Sequence, residues 1–250
     1  GGGLDYRRWP LIADGVSLYW NGLNRGKRSV TADLSDPEVR ELLSELVARA
    51  GNFLTNFPTR GWLAYDRLRE RRDDLVMVAV TGSPDGTSAV DYTINCAVGY
   101  PAITGHPNDR RPVNHSLPAW DLICGQTAAL GILAADRHRS RTGEGQLVGL
   151  ALADVAMAAV AWRGELADVE VNGSERESMG NDLYGAFGRD FVTADDRRVM
   201  VVAITPHQWE GLQTATGAVG AVGKLAVELG LDLTDEGARF AARDRLGEIF

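Results

Sequence analysis

The sequence predicts an α/β protein built around a parallel sheet. Three observations carry that expectation. Runs of strand character and runs of helical period alternate through about residue 162. Apolar residues make up 44% of a 250-residue chain, enough for a full hydrophobic core. Beyond that point the alternation stops, and a polar stretch over 165–182 with Asn-Gly-Ser character leads to a second, smaller part. The expected boundaries are 1–164 for a large domain, 165–190 for a linker and 191–250 for an incomplete small domain.

Residues 27–34 alternate enough to form a strand. Asp36 then offers an N-cap and Pro37 the first helical position, where a missing N–H costs nothing. Val39, Leu42, Leu43, Leu46 and Val47 follow at helical spacing, and Gly51 stops the run. Residues 53–57 read as a short apolar strand, 62–72 as a short arginine-rich helix, and 75–81 (LVMVAVT) as a buried strand. A turn-rich loop covers 82–87, residues 89–103 stay ambiguous around Pro101, and 104–116 is a polar loop. A strong apolar helix follows over 118–139. It ends in Arg137, His138, Arg139 and Arg141 and the turn Thr142-Gly143-Glu144-Gly145. Residues 146–150 read as a strand, 151–162 as a nearly all-apolar helix and 199–204 as another strand, and Thr234 as the cap of a last helix.

Charge narrows the function. With 26 basic and 34 acidic side chains the net charge is -8, the wrong sign for a general nucleic-acid binder. No apolar run reaches the length of a membrane span. Cys96 and Cys124 form no CxxC pair, and His106, His115, His138 and His207 show no metal-ligand spacing, so reduced thiols, no metal and a cytoplasmic setting are expected. The chain opens on Gly1-Gly2-Gly3 without Met and stops at Phe250 inside a helical run, which reads as a piece of a longer protein.

Asp121 is the most informative residue. It is a lone carboxylate among apolar neighbours near a helix start, in Leu117-Pro118-Ala119-Trp120-Asp121-Leu122-Ile123-Cys124-Gly125. The residues alone favour an acid that complements the helix dipole; the alternative is a nucleophile or base held ionised by the helix end. The loop Gly22-Leu23-Asn24-Arg25-Gly26-Lys27-Arg28-Ser29 could present cations and N–H groups to phosphate, though it does not match a P-loop. The cations of 137–145 need no function beyond a helix C-terminus. Neither a Gly-x-Ser-x-Gly elbow nor a Gly-x-Gly-x-x-Gly fingerprint occurs.

The ordered set Asn24-Arg25-Gly26-Lys27-Arg28-Ser29, Asn56-Phe57, the Asp121 helix and Thr142-Gly143-Glu144-Gly145-Gln146 resembles the class III CoA-transferases. Longer stretches resemble the branch that acts on mesaconyl-CoA: Gly1-Gly2-Gly3-Leu4-Asp5-Tyr6, Thr55-Asn56-Phe57-Pro58, Val90-Asp91-Tyr92-Thr93, Asn114-His115-Ser116-Leu117-Pro118-Ala119-Trp120-Asp121, and Tyr184-Gly185-Ala186-Phe187-Gly188-Arg189-Asp190-Phe191. The resemblance implies a Rossmann-like large domain, a smaller second domain and an interlocked homodimer. It implies an acyl-CoA substrate, no cofactor beyond coenzyme A as part of that substrate, and neither nucleic acid nor membrane as partner. It implies Asp121 as the acyl-accepting carboxylate, with CoA contacts from Arg8, Leu23, Asn24, Lys27, Asn56 and Phe57. The family's opening strand and helix and its C-terminal part have no counterpart here.

The reaction implied is CoA transfer between the two carboxyl ends of one mesaconyl group, from 2-methylfumaryl-CoA to 3-methylfumaryl-CoA. The substrate's free carboxylate calls for a cation or amide, for which His115 and Arg189 are the candidates. Rival readings are a CoA-transferase acting between two acids, a 2-methylacyl-CoA racemase and a non-catalytic CoA-binding module. Racemisation needs an acid and a base on opposite faces of the α-carbon, and Val90 stands where the racemase branch carries its histidine.

Overall fold

A computed structural model describes residues 4–109 and 111–250. Of the stretches quoted above, Gly1-Gly2-Gly3 lies outside the described residues. A 3-10 turn, Leu4–Arg7, and an antiparallel pair, β1 (Ile12–Ala13) and β2 (Val16–Ser17), lead into α1 (Leu18–Leu23). Then come α2 (Pro37–Ala50), β3 (Asn52–Thr55), α3 (Tyr65–Arg69), β4 (Val76–Thr81), α4 (Asp91–Ala97), α5 (Tyr100–Ile103), α6 (Ala119–Thr142), β5 (Gln146–Ala151), α7 (Leu152–Trp162) and α8 (Glu165–Asn172). The rest comprises β6 (Phe187–Val192), β7 (Arg198–Ala203), α9 (Pro206–Thr216), α10 (Val219–Leu229), α11 (Glu236–Ala241) and α12 (Arg243–Ile249).

The chain divides into two units, Gly1–Val80 with Ala128–Gly149, and Thr81–Thr127 with Leu150–Phe250. The first holds a three-stranded sheet in the order β3-β4-β5, with β3 and β4 parallel and Asn52 opposite Val76. Val76, Met77 and Val78 of the central strand are fully buried, as the continuous apolar run of a parallel strand requires. The α/β expectation with a parallel sheet therefore holds.

Local chemistry explains how α2 and α6 are fixed in this unit. Asp36 caps α2 by accepting from Glu38 N, Pro37 opens the helix, and Gly51 ends it at φ 73°. A Cβ on Gly51 would lie 2.4 Å from the Arg72 guanidinium carbon, which packs under the cap while Arg72 donates to Ala48 O (3.0 Å). Arg139, near the end of α6, donates to the carbonyls of Gly51 (2.6 Å) and Asp74 (3.2 Å) and pairs with Asp136. The turn that follows brings Gly145 so close that a Cβ there would sit 2.3 Å from Leu75 O.

The second unit carries its own core, in which Phe187, Ala203, Trp209, Val222, Leu225, Leu233 and Leu246 are buried together. The β6–β7 hairpin pairs Phe187 with Ala203. Arg239 is fully buried, donates to the carbonyls of Leu233, Thr234 and Ile204, and lies over the Trp209 ring.

Three expectations differ from the observed elements. Residues 27–34 form no ladder; a strand is stabilised by its neighbour, and among the described residues none pairs with them. The polar stretch after residue 164 begins with α8, whose Leu166 and Val169 are exposed and give no apolar stripe to read. The cap of α11 is Asp235, accepting from Ala238 N at 2.9 Å, while Thr234 folds back on Asp232.

Candidate active site

α6 begins without a cap of its own. The preceding residue is Pro118, whose side chain accepts nothing, so the first N–H groups of the helix need an acceptor from elsewhere. Asp91, the first residue of α4, supplies it. Its Oδ2 accepts from Trp120 N (2.8 Å) and Asp121 N (3.2 Å), the second and third N–H groups of the helix. An N-cap side chain ordinarily serves these same groups. The other oxygen, Oδ1, lies 2.6 Å from His115 Nε2. In the tautomer that bears its proton on Nε2, His115 donates to this oxygen.

Asp91 is 2% exposed, and its surroundings are built to hold it. Asn95, one turn along α4, accepts from Trp120 Nε1 (3.1 Å) and donates to Asn114 Oδ1 (2.7 Å). That same oxygen accepts from His115 N (3.0 Å). Tyr92 meets the His115 ring edge-on at 5.5 Å, and Tyr100 tilts against Trp120 at 5.6 Å while donating to Glu165 (2.9 Å). Burial, and then the hydrogen bond to Glu165, push the Tyr100 hydroxyl above its ordinary pKa.

Asp121 itself is exposed. The cap is thus provided by a remote buried acid, and the helix's own acid faces outward within its first turn. One turn further, Cys124 is buried, and its thiol is pushed up first by that burial and then by the Asp121 charge. Val90, directly before Asp91, is 57% exposed and offers no acid or base.

The residues expected to hold CoA lie in the first unit, whereas Asp121 belongs to the second. Leu23, Asn24 and Lys27 come together at the end of α1: Lys27 Nζ donates to Leu23 O (2.9 Å) and Asn24 Oδ1 (3.1 Å), and Asn24 donates to Trp20 O (2.9 Å). Arg8 pairs with Asp5 at 2.6 Å and lies 5.0 Å over the Tyr19 ring of α1. Asn56 and Phe57 follow β3, where Thr55 Oγ1 accepts from Phe57 N (3.0 Å) and the Phe57 ring is left exposed. They border an apolar groove of about 410 Å³ shared with Leu34, Leu46, Phe53 and Trp62.

The two candidates for the substrate's free carboxylate have different surroundings. His115 is joined to the α6 start through Asp91. Arg189, on β6, donates to Arg243 O (3.1 Å) and pairs with Asp182 (3.4 Å) and Asp244 (3.7 Å). Asp91 was not singled out from the sequence. The signal that points to it is the helix start at Pro118-Ala119-Trp120, which demands a distant acceptor.

The family model described as CoA-transferase family III matches residues 2–247. The chain is 52% identical, over its whole length, to 2-methylfumaryl-CoA isomerase of Chloroflexus aurantiacus and covers 62% of that protein. It is 31% identical over 98% of its length to succinyl-CoA:mesaconate CoA-transferase of Haloarcula hispanica, covering 64% of it. Among solved structures, a CAIB/BAIF family protein from Brucella suis matches with a TM-score of 0.76 at 28% identity, covering 98% of this chain and 66% of that one. The chain thus spans a little under two thirds of the length of these proteins.

Proposed function

Because the chain belongs to CoA-transferase family III, as its motifs led one to expect, we propose that the protein carrying it converts 2-methylfumaryl-CoA to 3-methylfumaryl-CoA. The observation that carries this reading is the 52% identity across the whole chain to an isomerase of that name. Asp121 is the nucleophile in this reading, and its exposed position at a helix start supports the role.

The steps balance without a cofactor. The Asp121 carboxylate attacks the C1 thioester carbonyl, the C–S bond breaks, and CoA leaves as thiolate from a mixed anhydride. The thiolate attacks the aspartyl carbonyl, giving an aspartyl-CoA thioester and free mesaconate. Mesaconate attacks that thioester through its C4 carboxylate, the aspartyl C–S bond breaks to release CoA thiolate again, and a second anhydride forms. The thiolate then takes the C4 acyl group and frees Asp121. Covalent catalysis divides one difficult exchange into steps of matched reactivity, and keeping mesaconate bound makes the second attack unimolecular. Contacts to the CoA arm from Arg8, Leu23, Asn24, Lys27, Asn56 and Phe57 belong to the same reading, as do a homodimer and a cytoplasmic setting. The exposure of Phe57 and its place beside an apolar groove suit a contact with a nucleotide or pantetheine surface.

The similarity to a succinyl-CoA:mesaconate CoA-transferase favours one alternative, transfer between two separate acids. Isotope-labelled free mesaconate added during turnover distinguishes the two. The intramolecular route predicts product with little label. Extensive label in the CoA ester contradicts it and supports the two-substrate reading.

A further inference from the structure

The nucleophile proposed above sits on a helix whose capping is done by another residue, and this arrangement has consequences for the reaction. We infer that Asp91 is a positioning residue for Asp121, and that His115 acts through Asp91. The inference rests on the functional reading of Asp121.

The geometry leaves little freedom. Asp91 Oδ2 accepts from the backbone N–H of Asp121 itself and of the residue before it. Its Oδ1 is occupied by His115, and burial at 2% exposure removes water as a competing partner. His115 is held in turn by its own N–H on Asn114, and Asn114 by Asn95 on the same helix as Asp91. The backbone from which the Asp121 carboxylate projects is therefore fixed by a buried, mutually bonded set. Such a set orients a reacting group more tightly than an exposed loop does.

Two chemical consequences follow. First, the N–H groups of Trp120 and Asp121 already serve Asp91, so they are not the donors that stabilise the tetrahedral oxyanions. Second, Asp91 offsets the positive end of the α6 dipole that would otherwise stabilise the Asp121 carboxylate as a spectator. His115, with Nε2 committed to Asp91, orients that acid rather than reading the substrate's free carboxylate through the same atom.

The test uses the full-length protein and 2-methylfumaryl-CoA as probe, with rapid quenching and intact-protein mass spectrometry to follow CoA attachment. Asp91→Asn keeps the size of the side chain but breaks one of its two sets of contacts. It is expected to slow attachment and kcat by about a hundredfold, the scale of a small misplacement of a reacting group, with KM changed by less than about threefold. His115→Leu is expected to act in the same direction. His115→Gln keeps an N–H donor for Asp91 and is expected to regain about tenfold of that loss. The His115 pair keeps the test decisive should Asp91→Asn fail to fold. Undiminished attachment in folded Asp91→Asn and in His115→Leu overturns the inference alone. A rise in KM at steady kcat in the His115 variants also overturns it, because that pattern marks direct substrate binding. Absence of any adduct in the parent overturns the functional reading and this inference with it.

Discussion

The two ends of α6 use charge in opposite ways. At the C-terminal end the cation comes from the helix itself: Arg139 is 13% exposed and turned onto the carbonyls of Gly51 and Asp74. At the N-terminal end the anion comes from outside: Asp91 of α4 is buried on the first turn, and the helix's own Asp121 stays exposed. One end spends its charge on fastening the helix to its neighbours. The other borrows its cap from α4, and its own carboxylate is exposed within the first turn. The same rule of helix electrostatics favours an anion at the start and a cation at the end, and here it yields a clamp in one place and the proposed nucleophile in the other.

The largest effect that sharpens this contrast is expected from Asp121→Asn. Turnover should fall by about a thousandfold or more, the scale seen when a member of a catalytic set is removed. Its melting temperature should stay at that of the parent, because the residue is exposed. Activity within about tenfold of the parent would remove the nucleophile role. Arg139→Met is the mirror experiment. It takes a donor from the carbonyls of Gly51, which keeps the Val76 N–H, and Asp74, and it removes the pairs with Asp74 and Asp136, so urea unfolding should show a loss of about 3 kcal/mol, while kcat of the folded fraction stays unchanged. A loss below about 0.5 kcal/mol would mean that the clamp is an exposed ion pair in effect.

Smaller effects test the frame around the clamp. Gly145→Ala drives a methyl to 2.3 Å from the Leu75 carbonyl, and backbone cannot yield as a side chain can, so about 2 kcal/mol is expected from the same unfolding curves. Asp36→Ala removes the α2 cap and should cost about 1 kcal/mol.

The smallest effect concerns acid. A hydrogen bond from Arg72 holds the Asp74 carboxyl below its ordinary value against burial, with the charges of Arg72 and Arg139 adding to it. A folded pKa below the unfolded one means that ionised Asp74 stabilises the fold above the unfolded value. That contribution is lost as pH falls through the folded value. Asp74→Asn should therefore flatten the acid limb of the stability curve below about pH 4, modestly, since the side chain is partly exposed.

These residues also mark how far the sequence could be read. Asp36, Pro37 and Gly51 act within a few positions of themselves, so α2 was legible from start to stop. The buried strand LVMVAVT was legible because a central parallel strand is apolar on both faces. Residues 27–34 misled because alternation describes one strand, whereas a ladder needs two. Thr234 misled because Asp235, an equally good cap, stands beside it. The family, and with it the resemblance to the mesaconyl-CoA branch, was legible in ordered motifs. Asp121 stood out within them as a lone acid, but Asp91 entered only as a neighbour of Val90. Its partners lie 29 and 30 residues away along the chain, and no local period connects them. The uncapped start at Pro118 stated the need for an acceptor without stating its source.

The proposed reaction depends on acylation of Asp121 by a thioester. Borohydride added during turnover with 2-methylfumaryl-CoA reduces an aspartyl thioester to homoserine, and peptide sequencing locates it. Homoserine is expected at position 121, dependent on the CoA ester and absent from Asp121→Asn. A protein that turns over freely yet carries the mark at another residue, or at none, contradicts it.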